Sequence, residues 1–191
     1  MAYLTAATAK DRDQRLADFA DAAVTAQIAA FKEIAESYRG VAFETTTATA
    51  VKVPGRADRK LATPHLKLIS LSAASLDGTA LTSDERADVT IWADEGILER
   101  TAGWSATEVS LTYTHGYASP PAAVLDACTE YVLCVLRARA SGVSRNTLSE
   151  ATEAGTTRYS TPDWSAGRPT GWLEVDRLLN SLPDYRTPGI A

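Results

Sequence analysis

The sequence predicts an α+β protein: a long N-terminal amphipathic helix, a small antiparallel β unit, a second core helix, and an extended C-terminal arm with a short helix. Three observations predict this fold class. Apolar residues recur at helical spacing over residues 9–39, residues 109–115 alternate with the two-residue period of a strand, and aliphatic side chains become scarce over residues 143–170. With 191 residues, of which 45% are hydrophobic and 23% charged, the chain is long enough to bury a core.

The first predicted element is a helix over residues 9–39. Its apolar stripe advances in steps of three and four residues, and charged side chains occupy the positions between. Gly40 lies where a left-handed residue ends many helices. A helix of this length extends about 45 Å at 1.5 Å per residue, so we expect part of it to pack on another chain.

Residues 41–117 form the predicted antiparallel β unit. Residues 43–53 are rich in β-branched side chains. The pair Asp77-Gly78 predicts a hairpin turn, because both of its positions favour a positive φ. Trp92 and Trp104 flank predicted hairpins and are interpreted as core residues of this unit rather than as a platform for a ligand.

The second helix is predicted over residues 120–141, where Pro120 and Pro121 fit a first turn whose N–H groups lack helical partners. Residues 1–142 therefore form the predicted core, and residues 143–191 form the predicted arm. The arm ends in a short amphipathic helix over residues 172–180.

We expect the arm to pack on neighbouring subunits or partners, and the core to stay folded when the arm is deleted. Aromatic residues and arginine replace aliphatic residues in the arm, and these residue types are enriched in interface cores. The predicted contact residues are Tyr159, Trp164, Arg168, Trp172, Val175, Leu178 and Leu179.

The sequence contains no recognisable catalytic, cofactor-binding or metal-binding motif. His115 is interpreted as a structural residue at the end of a strand and His65 as a surface residue, since no pattern of nucleophile and base surrounds them. Cys128 and Cys134 point in different directions if they lie on one helix, so neither a disulfide nor a shared metal site is expected. We therefore expect no enzymatic activity, no metal and no cofactor.

Charged residues are clustered within the predicted β unit. Carboxylates concentrate over residues 84–99, a pattern that favours a solvated edge over a cation site or an acid–base pair. Cations concentrate over residues 52–67, which favours an exposed loop over a phosphate site.

The net charge of −5 argues against a dedicated nucleic-acid binder. The longest apolar run, residues 131–136, is too short to span a bilayer, and the N-terminus has no secretory pattern.

Several short motifs beyond residue 66 are informative through their order and spacing. They are L-I-S-L-S-A-A-S-L-D-G at 68–78, G-I-L-E-R at 96–100, Trp104, V-S-L-T-Y-T-H-G-Y at 109–117, and Pro120-Pro121 before a helix. Together they resemble the head-to-tail connector (adaptor) proteins of long-tailed double-stranded DNA bacteriophages. The C-terminal runs are similar to the versions carried by phages of actinobacteria: L-S-E-A-T-E-A-G-T-T-R-Y at 148–159, G-R-P-T-G at 167–171 and E-V-D at 174–176.

This resemblance implies a structural virion protein rather than a catalyst. Members of the family form a ring, usually of twelve subunits, between the portal and the stopper or next neck protein. The ring extends the DNA channel for packaging retention and ejection, and double-stranded DNA passes through it without sequence recognition. The implied location is the portal vertex of the virion, with host cytoplasm during assembly, and no membrane partner is implied.

Two other interpretations stay open at this point. One is another neck component, such as the stopper itself, although stoppers are typically smaller and dominated by β structure. The other belongs to a different class, a phage enzyme or carbohydrate-binding module with Trp92 and Trp104 as a stacking platform. Sugar-binding modules are usually all-β, so the predicted N-terminal helix argues against that class.

Overall fold

The computed structural model describes residues 3–142, 149–152, 155–158 and 168–185. Helices and antiparallel sheets coexist in these residues, which confirms the α+β class. The helices are α1 (Ala6–Arg12), α2 (Asp21–Arg39), α3 (Ser83–Ala87), α4 (Ala122–Ala140) and α5 (Leu173–Asn180). The strands are β1 (Thr46–Arg56), β2 (Lys60–Ala62), β3 (Leu68–Leu76), β4 (Thr79–Ala80), β5 (Thr90–Trp92), β6 (Ile97–Glu99), β7 (Trp104–His115), β8 (Ser149–Thr152) and β9 (Gly155–Arg158).

The chain divides into two compact units. The helical unit is formed by the described residues of 2–39 and 121–183, and the β unit by those of 40–120 together with residues 184 and 185. This division differs from the predicted core of residues 1–142 and arm of residues 143–191, because the segment that contains α5 belongs to the same compact unit as α1, α2 and α4.

The predicted continuous helix over residues 9–39 is wrong, because the helix is interrupted at Asp13. The backbone of Asp13 is extended, with φ −141°, and its carboxylate accepts a hydrogen bond of 2.9 Å from the Arg15 N–H. A side chain that caps the next turn competes with helical backbone hydrogen bonds. A short 3-10 turn at Gln14–Leu16 follows, and α2 begins at Asp21.

The core of the helical unit lies where α4 packs against both α2 and α5. Phe31 of α2 is fully buried, and its ring centroid lies 5.4 Å from that of Tyr131 on α4. The second helix predicted over residues 120–141 is confirmed as α4, which buries Val124, Val132 and neighbouring residues.

The β unit consists of a four-stranded sheet in the order β1-β7-β3-β4 and a three-stranded sheet in the order β2-β6-β5. All pairs are antiparallel. Its core is made by the inward residues of β7 and β6 with their neighbours, and the fully buried members include Trp104, Val109, Leu111, Tyr113 and Leu98.

The predicted turn at Asp77-Gly78 is confirmed and joins β3 to β4. Asp77 has φ 47° and Gly78 has φ 85°, the positive values that the turn requires. The Asp77 carboxylate also accepts hydrogen bonds of 2.9 to 3.1 Å from the N–H groups of Thr107 and Glu108. These bonds tie the turn to β7.

The chain enters and leaves the β unit at neighbouring points. The Tyr117 N–H donates a hydrogen bond of 3.1 Å to the Ala42 carbonyl, and Thr45 Oγ1 donates one of 3.2 Å to the Tyr117 carbonyl. Gly116 directly precedes Tyr117 and has φ 98°, and a Cβ there would lie 2.2 Å from the Glu44 carbonyl oxygen. A residue with a side chain does not fit at this crossing.

Candidate functional site

The residues that the sequence predicts to contact partners differ in their burial, and two of them lie outside the described residues. Tyr159 and Trp164 lie outside the described residues. Arg168 and Trp172 precede α5 and are half-buried, and Leu178 on α5 is half-buried as well. Their role as contact residues stays a prediction.

Val175 and Leu179 have a different position from the one predicted for a partner interface. Both are fully buried inside the helical unit, because α5 packs against α4 of the same chain. The sequence pattern indicated correctly that one face of this helix is apolar. It did not indicate that α4 supplies the complementary surface within the same chain.

A buried hydrogen-bonded pair holds the start of α5. Thr170 donates to Asp176 Oδ1 through both its N–H (3.0 Å) and its Oγ1 (2.7 Å), and Thr170 Oγ1 accepts from the Trp172 N–H at 3.2 Å. Thr170 and Asp176 are each 1% exposed. Sequence reasoning assigned neither residue a role, although both lie in runs that carry the family resemblance.

The end of α5 is held by residues from the last turn of α2. Tyr38 Oη donates to Asn180 Oδ1 at 2.7 Å. The buried guanidinium of Arg39 donates to the carbonyl oxygens of Leu182 and Pro183. The helix is therefore fastened at both ends within the helical unit.

The opposite face of α5 is exposed and mixes one apolar residue with polar ones. Leu173 is 55% exposed, and Glu174, Arg177 and Asn180 are exposed beside it. Among the described residues, Leu173 is more exposed than the other exposed large hydrophobic side chains, Ile69 and Trp92.

Beyond α5, the chain reaches the β unit through a pair of tyrosines. Tyr185 Oη and Tyr117 Oη are 2.9 Å apart, and Lys67 Nζ lies 5.3 Å from the Tyr117 ring centroid and 5.5 Å from that of Tyr185. Burial, with the hydrogen bond to Tyr185, raises the pKa of Tyr117. Lys67 also forms an ion pair of 2.6 Å with Asp94, which raises the pKa of the lysine.

The two histidines are neighbours in the β unit. Their rings stack with centroids 4.1 Å apart, and His65 Nδ1 lies 2.7 Å from Tyr113 Oη. Burial, with a smaller contribution from His65, lowers the pKa of His115 to about 4, and burial also lowers the pKa of His65. The structural interpretation of His115 agrees with this position. The surface interpretation of His65 is wrong, because its ring lies against two partly or fully buried rings.

The two tryptophans of the β unit also differ. Trp104 is fully buried and its Nε1 donates to the Leu98 carbonyl at 3.1 Å. The core interpretation is wrong for Trp92, which is 40% exposed on the outer face of β5. Its Nε1 donates to Glu99 at 3.0 Å, and Lys60 Nζ lies 4.6 Å from its ring centroid.

Within the ranges that the structure describes, no group of three or more His, Cys, Asp and Glu side chains is arranged to hold a metal ion. Burial raises the pKa of the Cys128 thiol to about 12, so its thiolate is disfavoured. Among the described helices, none is long and apolar enough to cross a bilayer.

The fold is similar to that of a chain from a solved structure described as "Neck of empty GTA particle computed with C6 symmetry". The TM-score is 0.63 at 16% sequence identity, over 98% of this chain and 92% of that chain. No protein-family model matches the sequence, and no curated protein matches it. At this level of identity the similarity concerns the fold.

Proposed function

We propose that this chain is a structural neck protein of a bacteriophage or phage-like particle, and that it forms a ring adaptor between the portal and the next neck component. The observation that carries the proposal is the similarity in fold to a neck chain over 98% of this chain. The ordered motifs from residue 68 to 176 support it independently, because they resemble adaptor proteins.

In this proposal the partners are other copies of the chain, the portal and the stopper or next neck protein. Twelve copies form the ring, a number compatible with the C6 symmetry applied to the neck chain of similar fold. The exposed face of α5, with Leu173 at its first position, is the proposed contact for one of these partners. Val175 and Leu179 have no part in that contact, since both are buried within the chain.

Double-stranded DNA passes through the proposed ring without sequence recognition. The net charge of −5 supports this, because a protein that grips DNA usually carries a cationic surface that neutralises phosphates. The protein acts in the virion at the portal vertex, after assembly in host cytoplasm. Relationship to the adaptors of actinobacterial phages in particular is proposed from the C-terminal motifs alone.

A carbohydrate-binding module receives less support. Such a module needs exposed aromatic rings as a stacking surface, whereas Trp104 is buried and Lys60 lies over the Trp92 ring. A stopper would have the same location in the neck, and its position relative to the portal distinguishes it from an adaptor.

The test is cryo-electron microscopy of particles that carry this chain, compared with particles made without it. We expect density for the chain as a ring directly below the portal, and heads without attached tails when the chain is missing. Density that begins below another ring would identify a stopper instead. Absence of the chain from complete particles would contradict the structural role.

A further inference from the structure

The β unit has two opposite edges, which follow from its strand pairings. β1 and β2 pair with one side of β7 and β6, while β3 and β5 pair with the other side. The first edge is therefore formed by β1 and β2. The second edge is formed beyond β3 and β5 by the segment that contains β4 and α3.

The first edge is basic. Residues 46–62 contain four cations and one carboxylate, and all five of these side chains are exposed. Lys52 forms an ion pair of 3.0 Å with Glu108, and Lys60 lies over the Trp92 ring. The side chains of Arg56 and Arg59 form no ion pair or hydrogen bond within the described part of the chain. Two neighbouring arginines, with Asp58 between them in sequence, therefore project from this edge without an ion pair in the described residues.

The second edge is acidic. Residues 79–96 contain five carboxylates and one cation. Asp84 and Asp88 are four positions apart on α3 and its C-terminal cap, so they lie on one face, where like charges repel. Both are exposed, and the Asp88 carboxylate has one long contact, 3.5 Å from Thr101 Oγ1. Exposed Glu95 and the ion-paired Asp94 extend the acidic surface.

We infer that the basic edge of one copy binds the acidic edge of the next copy, with Arg56 and Arg59 facing Asp84 and Asp88. This inference rests on the proposed ring and names the contact that forms it. A contact between two different surfaces on opposite edges is heterologous, and heterologous contacts generate rings when the rotation closes. A two-fold contact through either edge would bring like charges together, so it is disfavoured.

The backbone of β1 makes a continuous intersubunit sheet less suitable than charge pairing. Pro54 lacks an N–H, and the register of β1 shifts between Ala48 and Val51 and again between Pro54 and Arg56. Ala50 has φ 52° inside the first shift. Proline and bulges on edge strands limit backbone pairing with another chain. The side chains of the edge therefore carry the contact.

Charge reversal tests this inference on the full-length chain. One variant carries Arg56→Glu with Arg59→Glu, and a second carries Asp84→Lys with Asp88→Lys. Self-association is measured by native mass spectrometry and sedimentation at an ionic strength of about 0.01 M, where the Debye length is about 30 Å. We expect the wild type to associate, and each variant to associate at least about tenfold more weakly, because its attractive pairs become repulsive.

The two variants together provide the rescue. In an equimolar mixture, acidic edges meet basic edges again, so association returns in species that contain both variants in equal number. A chain that carries all four reversals also recovers. The matched control for the first variant is Arg137→Glu with Arg139→Glu, which changes the net charge by the same amount on exposed residues of α4 and leaves association unchanged.

Thermal melting of every variant separates loss of contact from loss of fold. The inference is overturned if well-folded reversal variants associate like the wild type, or if neither the mixture nor the fourfold variant recovers. A wild type that stays monomeric at low ionic strength also overturns it. None of these outcomes bears on the proposed location in the neck, because cryo-electron microscopy of particles tests that location separately.

Discussion

The imidazole rings of His65 and His115 stack with an interplanar angle of 16° and a centroid separation of 4.1 Å. His115 is 5% exposed, and its Nδ1 has no hydrogen-bond partner in the described residues. Two protonated rings at this distance would repel each other, and burial further disfavours the charge. The fold of the β unit therefore requires a neutral His115 and favours a neutral His65.

This requirement predicts a loss of stability in mild acid. The pKa of His115 falls from an ordinary 6.5 to about 4 on folding, so between these values the unfolded chain binds more protons than the folded chain. The contribution of the neutral His115 to the free energy of unfolding is fully present above pH 6.5. It is lost as the pH falls towards 4, by up to about 3 kcal/mol. Urea unfolding at a series of pH values measures the slope. A variant with His65→Gln and His115→Gln should show a flatter profile over this range, and an equally steep one would contradict the assignment.

The second prediction concerns the two leucines of α5 with opposite exposure. Leu179→Ala removes a fully buried side chain and is expected to lower the free energy of unfolding by about 2–5 kcal/mol. Leu173→Ala alters a residue that is 55% exposed, so its effect should stay within about 0.5 kcal/mol. Chemical denaturation of both variants is the measurement. Equal effects would mean that α5 does not pack on α4.

The third prediction concerns deletion of residues 143–191. The composition of the arm predicts a core that is unaffected by this deletion, whereas the packing of α5 predicts a less stable one. The truncated chain loses Val175 and Leu179 from the helical core, so its melting temperature should fall by several degrees or more. An unchanged melting temperature would restore the interpretation of an independent arm.

The buried Thr170–Asp176 pair predicts a second way to loosen α5. Asp176→Ala leaves the Thr170 N–H and hydroxyl without their acceptor, which costs about 1–3 kcal/mol of stability. Glu174→Ala is the matched control, because the Glu174 carboxylate is exposed and its ion pair with Arg177 is long, at 3.6 Å. Hydrogen exchange of the α5 amides should accelerate in the first variant and not in the second.

The crossing at Gly116 predicts a strict requirement for glycine. Gly116→Ala places a Cβ 2.2 Å from the Glu44 carbonyl oxygen at a φ of 98°, and we expect a loss of more than about 2 kcal/mol. Gly78→Ala shares a positive φ of 85° but meets nothing within 4 Å, so it should cost about 1–2 kcal/mol. A smaller effect at Gly116 than at Gly78 would show that the Ala42–Glu44 segment yields easily.

Local periodicity predicted most of the helices and strands correctly, but it did not predict what each of them packs against. The alternation over residues 109–115 corresponds to β7, and Asp77-Gly78 forms the turn between β3 and β4, because both patterns depend on near neighbours in sequence. In the sequence Asp13 is one of the charged positions of the predicted helix, whereas in the structure its carboxylate caps the following turn. A single aspartate suits either role, and the local pattern does not decide between them.

The candidate sites illustrate the same limit. The apolar stripe of α5 indicated that Val175 and Leu179 are covered by another surface, and both are buried in the structure. Such a stripe does not indicate whether that surface belongs to the same chain. The acidic and basic clusters were visible in the sequence as well. Their separation to opposite edges depends on pairings between β1 and β7 and between β3 and β7, which join residues that are far apart along the chain.

The hydrogen bond between the Tyr117 N–H and the Ala42 carbonyl has a consequence for the order of folding. Apart from residues 184 and 185, the described β unit is contiguous in sequence, whereas the helical unit has to bring α2 and α4 together across it. Once the β unit has formed, this bond holds the two connecting segments side by side. The loop that the helices must close then shortens from about 80 residues to a few, which saves about 2–3 kcal/mol of chain entropy. The inserted unit therefore acts as an intramolecular template, and slow folding of the helices is expected whenever the insertion is destabilised.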